Sequence, residues 1–275
     1  MRIRGKLVKL WAYLGIAVSV GVVVFLFAFV FIKGAGTVSW EFLTEAPKGA
    51  VLGEEGGIFP AIIGSLFFTV TALVIGGIPA VATAIYLVFY CTSKRISGFI
   101  RLTVQCISGI PSIVLGLFAY SLLVKTLGLG RCVLSSGVAL GIMVLPFIEV
   151  RCEKSFLEVP YELVAVSRNM GCSKSYTVVH AVLPMCKGEL VSALILGGCY
   201  AMGATAPMIF TGAVAFAAVP KSILEPAMAL PLHLYLLVAQ GHTSLPTAYG
   251  TAFVMMVLIL LSNILATMYG ARSKR

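Results

Sequence analysis

Residues 133–189 read VLSSGVALGIMVLPFIEVRCEKSFLEVPYELVAVSRNMGCSKSYTVVHAVLPMCKGE. The stretch opens on an apolar run, 133–149, and turns at Arg151 into a segment rich in Lys, Arg and Glu. At about 1.5 Å per residue, a helix over such a run approaches the roughly 30 Å thickness of bilayer hydrocarbon. The charged segment after it then belongs at a membrane face. Working outward, further apolar runs lie at roughly 11–32, 62–90, 102–124, 190–215 and 247–270. The 275 residues are 60% hydrophobic and only 11% charged, with a mean hydropathy of +1.05. A soluble domain of this length needs more polar surface than that. The reading is an all-α membrane protein, a single transmembrane domain over 1–275 with six helices.

The first run follows Arg2, Arg4, Lys6 and Lys9. It is too long for a signal peptide and has no small-residue cleavage site before Lys33, so it reads as an uncleaved first helix. The second run contains Gly76-Gly77-Ile78-Pro79, which predicts a kink. Six spans divide the cations unevenly. Arg2, Arg4, Lys6, Lys9, Lys94, Arg95, Arg101, Arg151, Lys154, Arg168, Lys174, Lys187, Arg272, Lys274 and Arg275 fall on one side. Only Lys33, Lys48, Lys125, Arg131 and Lys221 fall on the other. The positive-inside rule places the first set, and both termini, in the cytoplasm. The net charge of +10 is then a feature of the cytoplasmic face, and nucleic acid is excluded as a partner because the charges flank spans.

Several chemistries are missing. The chain has no Asp, no G-x-x-x-x-G-K-[ST] loop to cradle ATP phosphates, and no Ser, His and acid set in a nucleophile pattern. Its seven cysteines, Cys91, Cys106, Cys132, Cys152, Cys172, Cys186 and Cys199, lack metal-site spacing and read as reduced, buried, small hydrophobes. His180, His233 and His242 are too scattered for a metal site. No cofactor is expected on this chain, and an enzyme is excluded in favour of a pathway, scaffold or receptor.

The long cytoplasmic segment, roughly 151–189, has local structure written into it. Pro160 suits the first turn of a helix, and Glu158 and Glu162 lie where a helix N-terminus prefers negative charge. Tyr161, Val164, Ala165 and Arg168 follow helical spacing, and Gly171 suits a C-terminal cap. Ser173 can cap a second short helix that runs through Tyr176 to Leu183, before Pro184. Two short helices with a sharp turn, carrying apolar residues outside the membrane, should dock either on a partner or on their own bundle.

This segment resembles the cytoplasmic coupling loop of ABC importer permeases. That loop is described as E-A-A, three residues, G, nine residues, then I-x-L-P. Gly171 and Leu183-Pro184 match in spacing, while Ala165, Val166 and Ser167 stand at E-A-A and Ala181 at the isoleucine. Four other segments are similar to the phosphate-type permease subunits. They are Gly56–Ser65, the Gly109–Phe118 run GIPSIVLGLF against A-P-S-I-V-x-G-L-F, Gly203–Pro207 against G-E-T-A-P, and Pro226–Pro231 in the last outer loop.

The resemblance implies a type I ABC importer permease-like bundle in the cytoplasmic (inner) membrane of a bacterium or archaeon. Its implied partners are an ATPase subunit dimer that holds the ATP, a second permease subunit, and a periplasmic or lipid-anchored substrate-binding protein. The implied substrate is phosphate, moved by alternating access, with molybdate, tungstate or sulfate as alternative oxyanions. A membrane sensor or scaffold that has lost transport is the third reading. It also implies that Glu162, Arg168, Gly171, Cys172, Ser173 and Lys174 meet the ATPase. Ser108, Ser112, Arg151, Tyr200 and Thr205 are the implied pathway residues. The family's glutamate in G-E-T-A-P, and its arginine four residues earlier, are Ala204 and Tyr200 here. Losing both members of an i,i+4 pair avoids leaving an orphan buried charge. The family arginine near Val150 has Arg151 as its neighbour, turned about 100° on a helix. Pro111 and Pro207 are placed to break their helices and expose backbone donors, or simply to kink them.

Overall fold

The computed structural model describes residues 2–49, 51–241 and 244–273. His242, Lys274 and Arg275 lie outside them. Eleven helices can be followed in the described residues: α1 (Arg2–Gly34), α2 (Trp40–Thr44), α3 (Phe59–Tyr90), α4 (Lys94–Gly109), α5 (Ser112–Thr126), α6 (Val133–Leu157), α7 (Tyr161–Asn169), α8 (Lys174–Gly203), α9 (Ala206–Thr211), α10 (Leu230–Gln240) and α11 (Leu245–Ser273). A two-residue antiparallel pair, Pro47–Lys48 with Glu55–Gly56, is the only sheet among them.

Five of these helices, α1, α3, α6, α8 and α11, are long and apolar enough to cross a membrane. The remaining expected span is not one helix. The expected span 102–124 is split into α4 and α5, which meet at Ile110-Pro111 with a bend of 98°. Proline has no amide to donate and disfavours helical geometry in the residue before it, so Ile110 is extended and α5 restarts after Pro111. The fifth expected span, 190–215, is also interrupted. Its helix α8 ends at Gly203, and α9 begins at Ala206.

Prolines at two other places do not break the chain. The kink expected at Gly76–Pro79 is a π turn, Leu73–Gly77, inside a helix that runs on to Tyr90. A second π turn, Val178–Val182, precedes Leu183-Pro184 in the same way. In both, the wider turn shifts the carbonyl that a proline ring would strike. The second short helix expected through Tyr176 to Leu183 is therefore the opening of α8. With α6 continuing to Leu157, the non-membrane segment expected at 151–189 holds the end of α6, the start of α8 and the hairpin between them.

Gly76 and Gly77 serve packing. A Cβ on Gly76 would strike the Gly141 carbonyl, and one on Gly141 would lie 3.0 Å from the Gly76 amide nitrogen. Small residues let backbones approach closely where no hydrophobic effect drives helices together in lipid. Around this crossing α3, α6 and α8 bury Phe68, Leu140, Val144, Ile148, Phe156 and Leu190. A second cluster, with Phe42, Leu52, Ile58, Met228, Leu230 and Leu237, closes the end opposite the hairpin. Here lies α10, in a region expected to be outer loop. The buried Ser65 hydroxyl accepts the Leu230 amide at 2.8 Å, and the Thr251 hydroxyl lies 3.3 Å from Nδ1 of buried His233. Ser65→Ala should cost about 1–3 kcal/mol, because the amide stays buried without its partner. Thermal unfolding in detergent, read by a thiol-reactive dye at the buried Cys132, Cys152 and Cys186, measures it.

The peripheral helix is α1. Its apolar window is fully exposed, and its ring contacts are Phe29 to Tyr249 at 5.7 Å and Phe31 to Phe253 at 5.3 Å, both on α11. All seven cysteines are free. Three are buried as expected, but Cys106 on α4 is exposed.

Candidate functional site

Two regions gather the residues singled out in the sequence, a hairpin at one end of the bundle and a cavity beside α6. In the hairpin, Pro160 is the N-cap of α7, with Glu162 in the first turn and Arg168 in the last. Gly171 takes φ +83, where a side chain is strained. The Gly171 amide donates to the Arg168 carbonyl at 3.0 Å, and the Cys172 amide to the Ser167 carbonyl at 3.1 Å. These are the two bonds of a Schellman closure. The Ser173 hydroxyl then accepts the Tyr176 amide at 3.2 Å and starts α8.

The hairpin has two faces. Val159 and Val164 pack on the main core, so part of it docks on its own bundle. Tyr161, Val166, Met170 and Tyr176 point outward, Tyr161 and Met170 being 80% and 78% exposed. Glu162, Arg168 and Gly171 share that exposure, and Cys172 is half-buried. Ring stacking at 4.0 Å between Tyr176 and His180 extends the apolar strip. Lys174 differs from the sequence expectation. Its ammonium sits over the Tyr90 ring, 5.3 Å from the centroid, and so turns toward its own bundle.

The cavity, about 470 Å³, lies where the α4–α5 break meets α6 and α8. Ser108, Ser112, Arg151 and Tyr200 all line it, with Gln105, Pro146 and Phe147. Thr205 is not among its lining residues; it is the N-cap of α9. Arg151 lies over the Phe147 ring, 4.7 Å from its centroid, and Phe147 lies 5.8 Å from the Tyr200 ring. The Ser108 hydroxyl donates to the Gln105 carbonyl at 2.8 Å, so its proton is already used by its own helix. The first amides of α5, at Ser112 and Ile113, have no acceptor within the helix, and Ser112 lines this cavity. A guanidinium, free amides and hydroxyls in an otherwise apolar pocket suit an oxyanion. Several of the cavity's residues are exposed, Tyr200 at 51% and Val150 at 58% among them, so the cavity is open on one side.

Arg151 also borders a second, more polar cavity of about 390 Å³ with Lys154, Ser155, Glu158, Glu189 and Ser192. It thus stands between the bundle interior and the hairpin end. The two helix breaks are neighbours as well. A Cβ on Gly116 of α5 would lie 2.9 Å from Cα of Pro207 in α9. Ala204 packs on the main core, where a carboxylate would be costly. Sequence reasoning missed Phe147. Phe147 was available as the i−4 neighbour of Arg151 on one helix face.

Residues 89–275 match the family model described as binding-protein-dependent transport system inner membrane component. The chain is 31% identical to phosphate transport system permease protein PstA 1 of Mycobacterium tuberculosis, over 78% of this chain and 70% of that one. It is 29% identical to a probable phosphate transport system permease protein PstA of Methanocaldococcus jannaschii, over 75% and 73% of the two chains. A Haemophilus influenzae PstA is 24% identical over 98% and 94%. Among solved structures, the fold is similar to an inward-facing form of the MetNI methionine ABC transporter, with a TM-score of 0.60 and 18% identity over 80% of this chain and 95% of that chain.

Proposed function

Because the chain belongs to the family of binding-protein-dependent transport system inner membrane components, the permeases of ABC importers, we propose that it carries inorganic phosphate inward across a cytoplasmic membrane. One observation carries the substrate class: a single cavity collects Arg151, Tyr200 and Ser112, the first residue of α5. A charge in the bilayer interior is expensive unless it is compensated. Arg151 offsets one negative charge, and the helix start and hydroxyls share the rest. The open side of the cavity is covered by a second permease subunit, which also brings further cationic groups.

The hairpin faces the cytoplasm, as do both termini, and its outward strip from Tyr161 to Tyr176 meets an ATPase subunit dimer. Glu162, Arg168 and Cys172 stand on that contact, and Gly171 and Ser173 hold its turn. ATP binding to the partner favours one of two bundle packings, and a substrate-binding protein at the opposite end delivers the anion. Nucleotide shifts the equilibrium only by its differential affinity for the two packings. Arg151, bordering both cavities, passes the anion from the interior toward the cytoplasmic mouth.

The replacement of the family's Arg/Glu pair by Tyr200 and Ala204 supports a second reading, a permease for molybdate, tungstate or sulfate. Vesicles carrying the complete complex should take up labelled phosphate in an ATP-dependent way. Uptake of a competing oxyanion alone removes phosphate as the substrate. ATPase activity indifferent to the loaded binding protein supports the sensor or scaffold reading instead, and strong stimulation removes it.

A further inference from the structure

We propose that Tyr90, the last residue of the second span, is the positioning residue through which the hairpin moves that span. The proposal rests on the reading of the hairpin as the ATPase contact. The Tyr90 hydroxyl lies 3.0 Å from the Ser175 hydroxyl, and the Lys174 ammonium lies 5.3 Å from the Tyr90 ring centroid. Lys174 and Ser175 open α8, directly after the Gly171 turn and the Ser173 cap. Adjacent residues of the hairpin therefore hold one ring from two directions.

The other root of the hairpin grips the neighbouring residue. Phe89 meets Phe156 of α6 edge-on at 5.7 Å. The last two residues of α3 are thus fixed to both helices that flank the hairpin. These residues close a π turn, Tyr86–Tyr90, with the Cys91 amide bonding back to the Tyr86 carbonyl at 2.8 Å. A π turn interrupts the regular ladder and recurs at functional sites.

Further along α3, the Gly76–Gly141 contact leaves no slack between α3 and α6. A displacement of the hairpin then travels from Ser175 to Tyr90, along α3, and into the core beside the cavity. Tyr90 is 37% exposed and its two partners are at the surface, so the clamp can be altered without emptying the core.

Hydrogen exchange by mass spectrometry on the complete complex, with and without ATP and vanadate, tests this. In the wild type, nucleotide should change exchange in 158–175 and in 86–91 together, by about threefold for amides at a frayed helix end. Tyr90→Ala should keep the hairpin response and lose the response at 86–91. Tyr90→Phe, which retains the ring under Lys174, should lose part of it, and Ser175→Ala should match Tyr90→Phe without adding to it. A clamp with a merely structural role would shift exchange at 86–91 without nucleotide and leave the nucleotide-dependent difference intact. That result overturns the proposal, as does a wild-type hairpin that responds while 86–91 does not. A wild-type hairpin with no response overturns the ATPase-contact reading itself, and the proposal with it.

Discussion

Arg151→Glu should lower the initial rate of ATP-driven phosphate uptake by about 100-fold or more, with the complex still assembled. Two unit charges about 4 Å apart interact by about 4 kcal/mol at an effective dielectric near 20, and reversing one turns attraction into repulsion. A loss of even about 3 kcal/mol at the step where the anion passes accounts for that factor. Arg151→Lys should fall within about tenfold of wild type, because the charge survives while the fork that grips two oxygens is lost. The variants should fold, since Arg151 is exposed in the isolated chain and its intramolecular contact is with the Phe147 ring. Lys125→Glu, at a cation away from the cavity, should transport normally and controls for net charge. Normal uptake by Arg151→Glu would remove the cavity from the transport route.

How much of this molecule could be read from its residues depends on what hydropathy measures. It marks where side chains meet lipid, and the five long apolar helices and the bent pair α4–α5 all fall on runs that it marked. It does not mark where a helix ends. Span 133–149 continues as helix to Leu157, and the helix expected from 190 begins at Lys174, because charged residues at a membrane surface can carry a helix beyond the hydrocarbon. Backbone breaks are equally invisible to it. The apolar run 102–124 passes without interruption over Ile110-Pro111, where the chain turns by 98°. Proline alone is ambiguous, since Pro111 breaks its helix whereas Pro79 and Pro184 do not. A π turn precedes each of the latter two, while Pro146 stays inside α6 without one, so the local geometry and not the residue decides. The helix α10 was missed because 11 apolar residues are too few to span and lie between loops.

The hairpin was more legible, because its signals are local. Pro160, Gly171 and Ser173 each act through the backbone of their own few residues, and each stands where its chemistry requires. What could not be read is which way the side chains turn. Lys174 looked like a surface cation for a partner, yet Tyr90, distant in sequence, draws it back onto the bundle. The pathway residues show the same division. Spacing could not say that Ser108, Ser112, Arg151 and Tyr200 share a cavity, since four separate helices carry them, and Thr205 falls at a helix break outside its lining.

Gly141→Val, or Gly76→Val, should remove the folded protein from the membrane. Each Cβ meets backbone of the facing helix, which cannot swing aside as a side chain does. Overpacking in a close-packed interior costs about 1–3 kcal/mol, and more where the obstacle is main chain. Folded population is lost only when the cost approaches the total stability, about 5 kcal/mol at the low end, and an obstacle of main chain puts the valines in that range. The valines should also force α3 and α6 apart, opening the core around Leu140 and Val144. Gly15→Val and Gly21→Val provide the contrast, because nothing lies within 4 Å of a Cβ at either position. Both sit on the exposed face of α1, and valine there should leave accumulation and thermal unfolding unchanged. Membrane-fraction yield and dye-monitored unfolding of all four variants decide the matter. If Gly141→Val accumulates and unfolds as the wild type does, α3 and α6 do not touch as closely as described. The path from Tyr90 to the cavity would then lose its rigid link, although the contacts at the hairpin would stand.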